Sequence, residues 1–300
     1  MREHLLDILA ANASADAITW LKESIATGEA GFEKRPFYYA FSGVSRHFHK
    51  QALVTATDSQ AQALQNENPD FTVSGWDEFR LARVILLLHL ADQDEKVFLE
   101  TIDALLNTAD LREQAAIFSA YPLLPAQADL VESAIDGLRS NIVDIYDAIA
   151  LGNAFPATSF SDEAWNQMIL KTFFINRPLY RVIGIENRAN TPLTEAISDL
   201  AHERWAAGRA ISAEAWRNCA AFPTERILSD FAHLLENGDA SDREALALIV
   251  AGNSDQSLDG IRDQVKAELS SVESRELTWE SLGRSLEDTS PALNGSPSDD

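Results

Sequence analysis

The stretch ERILSDFAHLLENGDASDREALALIVAGNSD, residues 225–255, gives the strongest indication of the fold. Its first half repeats apolar residues at helical spacing, and a Gly-Asp turn separates it from a second segment rich in Ala and Leu. Two helices joined in this way resemble a HEAT-type unit, which cannot bury its apolar face alone and therefore stacks on its neighbours. The stretch predicts an all-α fold, built as an irregular stacked-helix solenoid of the HEAT/ARM type.

Helical spacing recurs along most of the remaining chain. The sequence GWDEFRLARVILLLHLADQD, residues 75–94, predicts an amphipathic helix that becomes fully buried. Apolar residues at positions 131, 135, 138, 142, 145 and 149 predict a packed helix seam, as one long helix or as two joined near Gly137. Thr191, which is followed by proline, predicts the N-cap of a further helix, and Gly208 predicts its end. Short segments such as FTV and YRVIGI are too few for a sheet.

The length and the terminal composition predict the domain organisation. A chain of 300 residues is long enough to bury a core of normal depth. The sequence EDTSPALNGSPSDD at the end is rich in Ser, Pro, Asp and Gly and has little apolar surface to bury. We therefore predict one helical domain over residues 1–287 and a disordered acidic tail over residues 288–300.

Charge and cysteine content restrict the partners and the compartment. Forty-seven acidic against twenty-four basic residues give a formal net charge of -23, which disfavours binding to nucleic acid or anionic lipid. The single cysteine, Cys219, excludes an intrachain disulfide and a cysteine-based zinc site. The opening sequence MREHLLDILAANASA has acidic residues where a signal peptide would be apolar, and no window approaches eighteen apolar residues. These features predict a cytoplasmic protein without direct membrane insertion or a nucleic-acid partner.

No catalytic motif is evident in the sequence. It contains no Gly-rich phosphate loop, nucleophile elbow, zinc-protease helix or paired-cysteine motif. In RHFHK, residues 46–50, His47 and His49 would point apart on a helix but share a face on a strand, where they could be two metal ligands. Because no third ligand can be placed, we predict no metal site and no cofactor.

The stretch WNQMILKTFFINRPLYRV, residues 165–182, is the main candidate binding region. Asn166 and Lys171 lie on one polar side of a helix whose second half is apolar all round. The residues that follow this helix in an irregular segment are Arg177, Tyr180, Arg181 and Arg188. A basic loop on a rigid scaffold in so acidic a chain suggests a binding surface. The alternatives are that Asn166 braces the backbone, that Lys171 is solvated or buried and paired, and that the arginines pair with surplus carboxylates.

Two further segments add candidate residues. In FEKRPFYYAFSGVSRHFHK, residues 32–50, Phe37, Phe41 and Val44 form a core stripe from which Tyr38 diverges. This run predicts either a capping helix or an aromatic pocket with basic edges for an anionic or aromatic small molecule. Arg204 follows the apolar side of its helix and therefore requires a carboxylate or carbonyl partner.

Several stretches closely resemble the EboA family of bacterial proteins. They are YPLLP, SNIVDIYDAIALGNAFPATSFSDEAWNQM, WNQMILKTFFINRPLYRVIGIENRAN and AHERWAAGR, and the likeness runs from about Phe37 to about Ala251. The resemblance implies a cytoplasmic helical protein encoded beside a UbiA-like membrane prenyltransferase and several metabolic enzymes. Such gene clusters are associated with making or moving a specialised metabolite. The resemblance carries over no catalytic residues.

Together these observations give two main functional hypotheses, besides a third in which the protein is a pure assembly scaffold with no ligand. The first is a non-enzymatic binding or adaptor protein in the biosynthesis or trafficking of a specialised metabolite. Its partner would be the metabolite itself or another protein of the same cluster, such as the membrane prenyltransferase. The alternative is an all-helical enzyme that acts on an aromatic or isoprenoid intermediate, with Lys171, Arg204 and His202 in one pocket.

Overall fold

The fold was analysed in a computed structural model that describes residues 1–29 and 31–289. Over these residues the chain forms α-helices and short 3-10 helices and no β-strand, so the all-α prediction is confirmed. Leu53 and Asp77 form an isolated antiparallel bridge. No helix within the described ranges combines the length and the apolar character that crossing a bilayer requires.

The chain divides into two compact units, which meet between Ser159 and Phe160. The single domain over residues 1–287 stays a prediction. The last described helix continues through Thr289, two residues into the predicted tail. The rest of that tail, residues 290–300, lies outside the described residues.

The first unit is formed by short helices in close succession. Its described α-helices are α1 (Arg2–Asn12), α2 (Ala15–Glu29), α3 (Lys34–Gly43), α4 (Asp58–Glu67), α5 (Glu78–Leu90), α6 (Glu95–Leu106), α7 (Leu111–Ala120), α8 (Gln127–Arg139), α9 (Val143–Ala150) and α10 (Phe155–Ser159). Its 3-10 helices are Val44–Arg46 and Tyr121–Leu123.

Helix α5 is the centre of the first unit. It packs against α1 and α7, and α7 packs in turn against α9. Almost every residue of α5 from Phe79 onward is buried, as the apolar sequence predicted. Even Arg83 is buried, with its guanidinium near the rings of Phe41 and Phe79 and one nitrogen 3.5 Å from Glu113 Oε1. The core stripe in α3 is confirmed as well, because Phe37, Phe41 and Val44 are all buried.

The predicted helix seam is interrupted later than expected. Helix α8 ends at Arg139 and α9 begins at Val143, so the break lies at residues 140–142 and not near Gly137. The hydroxyl of Ser140 accepts the backbone N–H of Ile142 at 3.0 Å, and Ile142 is exposed. Gly137 has a different role, because it lets α8 approach its neighbours closely. A Cβ there would lie 2.6 Å from Ile149 and 2.9 Å from Phe118.

The second unit contains helices of more varied length, from four to sixteen residues. Its described α-helices are α11 (Asp162–Phe174), α12 (Ile185–Arg188), α13 (Thr191–Ala206), α14 (Glu225–Asn237), α15 (Ala240–Gly252), α16 (Asp259–Gln264), α17 (Lys266–Glu273) and α18 (Trp279–Thr289). Its 3-10 helices are Leu179–Arg181, Ala213–Cys219 and Gln256–Leu258.

The two helices expected within residues 225–255 are present as α14 and α15. They are joined by Gly238 and Asp239 and pack against each other. The Asp239 side chain accepts the backbone N–H of Asp242, and the Asp242 side chain accepts that of Asp239, which forms a capping box at the start of α15. Helix α15 also packs against α17, α18 and the 3-10 helix Ala213–Cys219, so it is central to this unit.

The start of α13 differs by one residue from the prediction. Asn190, not Thr191, is the N-cap, and its side-chain oxygen accepts the backbone N–H of Leu193 at 3.0 Å. Asparagine is at least as good an N-cap as threonine, and Pro192 is compatible with the first helical turn.

The close packing at Gly137 gives a test of the first unit. We expect Gly137→Ala to lower the free energy of unfolding by about 1–2 kcal/mol, because overpacking against Ile149 and Phe118 exceeds the gain in helix propensity. Urea unfolding monitored by circular dichroism measures this change. The control is Gly260→Ala in α16, where no atom lies within 4 Å of the added Cβ. That variant should gain up to about 1 kcal/mol, and an equal gain at Gly137 would contradict the close packing.

Candidate functional site

A cavity of about 390 Å³ lies in the second unit beside the C-terminal ends of α11 and α13. Two candidate residues from the sequence, Arg177 and Arg204, line it. The acidic residues that also line it are Glu214, Asp239, Asp242 and Glu287. The volume falls within the usual range for small-molecule sites.

The end of α11 places Arg177 at the cavity. Asn176 adopts a left-handed conformation with φ 53°, which asparagine tolerates better than most residues. The backbone N–H of Asn176 donates to the carbonyl of Phe173 at 3.3 Å, and that of Arg177 donates to the carbonyl of Thr172 at 2.9 Å. This is a Schellman motif, so the direction in which the chain leaves α11 is fixed by hydrogen bonds.

The end of α13 repeats this geometry and places Arg204. Gly208 has φ 67° and donates to the carbonyl of Trp205 at 2.9 Å, while Arg209 N–H donates to the carbonyl of Arg204 at 2.8 Å. The predicted helix end at Gly208 is therefore confirmed. Arg204 Nε donates to the carbonyl of Ala210 at 2.7 Å, which supplies the carbonyl partner expected for its side chain. Both arginines are thus carried by rigid helix ends.

Glu214 is a cavity-lining residue that the sequence did not reveal. It belongs to the 3-10 helix Ala213–Cys219, and only 3% of its surface is exposed. Its Oε2 accepts the backbone N–H of Leu179 at 3.2 Å, and the backbone of the neighbouring Tyr180 also favours the ionised carboxylate. Its Oε1 is buried without a hydrogen-bond partner among the described residues. Burial raises the pKa of Glu214 to about 7, against the lowering effect of these backbone groups and of Arg217.

Tyr180 connects this segment to α18. Its hydroxyl donates to Glu287 Oε2 at 2.7 Å, and its ring lies so close to Gly283 that any Cβ there would overlap it. Burial, together with the hydrogen bond to Glu287, raises the pKa of Tyr180 to about 12. Tyr180 therefore acts as a neutral phenol that holds α18 against the edge of the cavity.

The acidic residues at the start of α15 are engaged in helix capping. Asp239 accepts the N–H groups of Ser241 and Asp242, and Asp242 Oδ2 accepts the N–H of Asp239 at 3.1 Å. Burial raises the pKa of Asp242 to about 6. These carboxylates line the cavity, but their oxygens stabilise the helix start.

Asn166 and Arg188 lie together at another place in the second unit. Asn166 and Asn190 exchange side-chain hydrogen bonds of 2.8 and 3.1 Å. Arg188 donates to the carbonyl of Phe160 at 2.9 Å and pairs with Asp162, and its guanidinium lies 5.2 Å from the centre of the Trp165 ring. Both side chains brace the start of α11, which matches the structural alternative for them.

The other candidates do not line this cavity. Lys171 is half-buried on α11, Arg181 is exposed, and Tyr38 is half-buried in the first unit. His202 Nε2 lies 2.7 Å from Oδ1 of the buried Asp230, whose other oxygen accepts the hydroxyl of Ser198. The enzyme hypothesis places Lys171, Arg204 and His202 in one pocket. Of these three residues, Arg204 lines the cavity and the other two do not.

The aromatic run of the first unit also borders a cavity. Its volume is about 340 Å³, and Phe32, Phe37 and Ala40 line it together with Leu86 and His89. Tyr39 is 63% exposed, and His47 stacks on Trp20 with ring centres 4.1 Å apart. Within the described part of the chain, no group of three or more His, Cys, Asp or Glu side chains is arranged to hold a metal ion.

Comparison with known proteins gives one match. A family model described as metabolite traffic protein EboA matches residues 1–220. This region begins before the motifs near Phe37 and ends before Ala251, the limits indicated by the sequence motifs. No curated protein and no solved structure is similar enough to give a match.

The raised pKa of Glu214 predicts a pH-dependent stability. The folded protein binds this proton more tightly than the unfolded chain, so the contribution is lost as the pH rises from the ordinary value of 4.5 through about 7. We expect Glu214→Gln to be more stable than the unsubstituted protein by about 3 kcal/mol at pH 8 and about equally stable at pH 4, since the amide keeps the backbone hydrogen bond without ionising.

Urea unfolding at intervals from pH 4 to pH 8 measures this difference. Glu203→Gln, at an exposed position of α13, is the matched control for removing one negative charge. A stability difference between Glu214→Gln and the unsubstituted protein that does not change with pH would show that burial does not perturb this carboxyl.

Proposed function

The chain belongs to the EboA family, and from this premise we propose that it is a non-enzymatic helical binding protein in the traffic of a small-molecule metabolite. The observation that supports this proposal is the cavity of about 390 Å³ beside the ends of α11 and α13. Two arginines on rigid helix ends line it, which is how preorganised binding sites hold charged groups.

Arginines of the second unit differ in the partners that their guanidinium groups contact. Several arginines of the second unit that lie outside the cavity form ion pairs, among them Arg188–Asp162, Arg217–Glu186, Arg226–Asp199 and Arg243–Glu268. Arg204, by contrast, uses Nε on a carbonyl and leaves the rest of its fork-shaped guanidinium for a planar anion. We propose that Arg177 and Arg204 bind an anionic group of the metabolite.

The proposed binding surface continues past the cavity. Tyr180 and Arg181 follow Arg177 directly, and Arg181 is exposed. Within the second unit we retain Asn166, Lys171 and Arg188 as proposed secondary contacts, although the first and third also brace α11. Partner proteins of the same pathway, including a membrane prenyltransferase, would use this surface to deliver or receive the metabolite. Tyr38 stays a separate proposed contact in the first unit. The compartment we propose is the cytoplasm, consistent with a single buried cysteine, Cys219.

The enzyme alternative has less support. It requires Lys171, Arg204 and His202 to converge, whereas His202 is bound to Asp230 and neither it nor Lys171 lines the cavity. Cys219 is also a poor nucleophile candidate, because burial raises the pKa of its thiol well above the ordinary range. The described residues therefore favour binding over catalysis.

For the architecture we propose the irregular solenoid. Its support within the second unit is the pair α14 and α15, which are joined by a two-residue turn and pack on each other. Further helices, α17 and α18, pack against α15 as neighbouring layers would.

Native mass spectrometry of the protein purified gently from its host tests the proposed function. We expect a small bound mass that is lost from the double variant Arg177→Gln/Arg204→Gln, because both proposed contacts to the anionic group are removed. The matched control is Arg46→Gln/Arg226→Gln, which removes two exposed charges outside the cavity. It should keep the bound mass.

The other outcomes are equally informative. A bound protein in place of a small molecule, lost from the double variant, would favour the adaptor role. A spectrum without any bound species, or a mass retained by the double variant, would contradict binding at this cavity.

A further inference from the structure

The free oxygen of Glu214 limits which ligands the cavity can accept. Four acidic residues line the cavity, and three of them are engaged by the fold. Asp239 and Asp242 cap α15, and Glu287 accepts the hydroxyl of Tyr180. Glu214 uses Oε2 for the backbone, whereas its Oε1 has no partner in the described part of the chain.

Within residues 1–29 and 31–289 no cation forms an ion pair with this buried carboxyl. The nearest arginine in sequence, Arg217, places its guanidinium 2.5 Å from Glu186 and over the Trp279 ring. Arg204 is hydrogen-bonded to a carbonyl, and the negative charge of Glu287 disfavours the ionised form of Glu214. Leaving a buried acceptor unsatisfied is costly, so each such atom calls for an explanation, and a group supplied by a ligand is one.

Holding the backbone does not supply that explanation. The N–H of Leu179 needs one acceptor oxygen, and the amide oxygen of a glutamine in this place would supply it without a charge to bury. The carboxyl is therefore in excess of what the fold requires. Its place in the wall of a cavity that also contains Arg177 and Arg204 gives the site both an acceptor and cations.

We infer that the cavity binds a compact organic anion that also carries a hydrogen-bond donor, an amine or a hydroxyl, with Glu214 accepting the donor and Arg177 and Arg204 holding the anionic group. This inference rests on the proposed function and specifies its ligand. A molecule with the anionic group alone leaves Glu214 Oε1 buried and unpaired, so the site discriminates against it in the way that buried polar groups discriminate against analogues that lack a partner.

The test compares Glu214→Gln with the exposed control Glu203→Gln, both purified from the host and analysed by native mass spectrometry. We expect at least a tenfold loss of the bound small mass in Glu214→Gln and none in Glu203→Gln. Fragmentation of the released molecule should show an anionic group together with an N–H or O–H donor. Equal occupancy in Glu214→Gln, or a molecule without one of the two groups, would overturn the inference while the binding function stands. A mass absent from the unsubstituted protein would instead overturn the proposed function and the inference with it.

A measurement on the unsubstituted protein avoids dependence on the variant. Carbon-13 NMR of the Glu214 carboxyl is recorded before and after the bound molecule is removed by dialysis. We expect the resonance to move on removal, and an unchanged resonance would overturn the inference. A bound amine should lower the pKa of Glu214 more than a bound hydroxyl does, because a nearby cation favours the carboxylate.

Discussion

The hydrogen bond between Glu214 and the backbone of Leu179 is the constraint on which the second unit depends. Leu179 is buried and is the first residue of the 3-10 helix Leu179–Arg181, where its N–H has no partner within the helix, and an unpaired buried N–H is costly. Once the carboxyl holds this turn, the Tyr180 ring can lie on Gly283 and its hydroxyl can reach Glu287. One buried acid thus connects α11, the 3-10 helix Ala213–Cys219 and α18.

Helix positions could be predicted from sequence because burial repeats every three to four residues along a helix. This held for α5, for the stripe of Phe37, Phe41 and Val44, and for the pair α14 and α15. The prediction of helix positions failed where one residue type has two structural roles. Glycine marks turns, but Gly137 permits close packing within α8, so the helix break was expected too early. The break at Ser140 depends on a local side-chain hydrogen bond that periodicity does not record.

The site was only partly predictable. A basic segment in an acidic chain identified Arg177 and Tyr180, and an arginine on an apolar helix face identified Arg204. The same reasoning could not separate these from Arg188, whose partners Phe160 and Trp165 are distant in sequence. Glu214 gave no signal, because SAEAWRNC has no helical period and its raised pKa arises from burial by residues far along the chain. The charge pattern of the sequence therefore identifies candidate binding residues, whereas burial and contacts in the folded protein distinguish cavity residues from structural ones.

Some residues that line the cavity lie inside the region that matches the family model, and others follow it in the chain. The region that matches the family model ends at residue 220, just after the 3-10 helix that carries Glu214. All three groups expected to contact the ligand, Arg177, Arg204 and Glu214, therefore lie inside it. The acidic residues after it also line the cavity, but their carboxylates are engaged in the capping of α15 or in the hydrogen bond to Tyr180. The proposed ligand contacts thus belong to the part of the chain that matches the family model, while later helices line the remainder of the cavity.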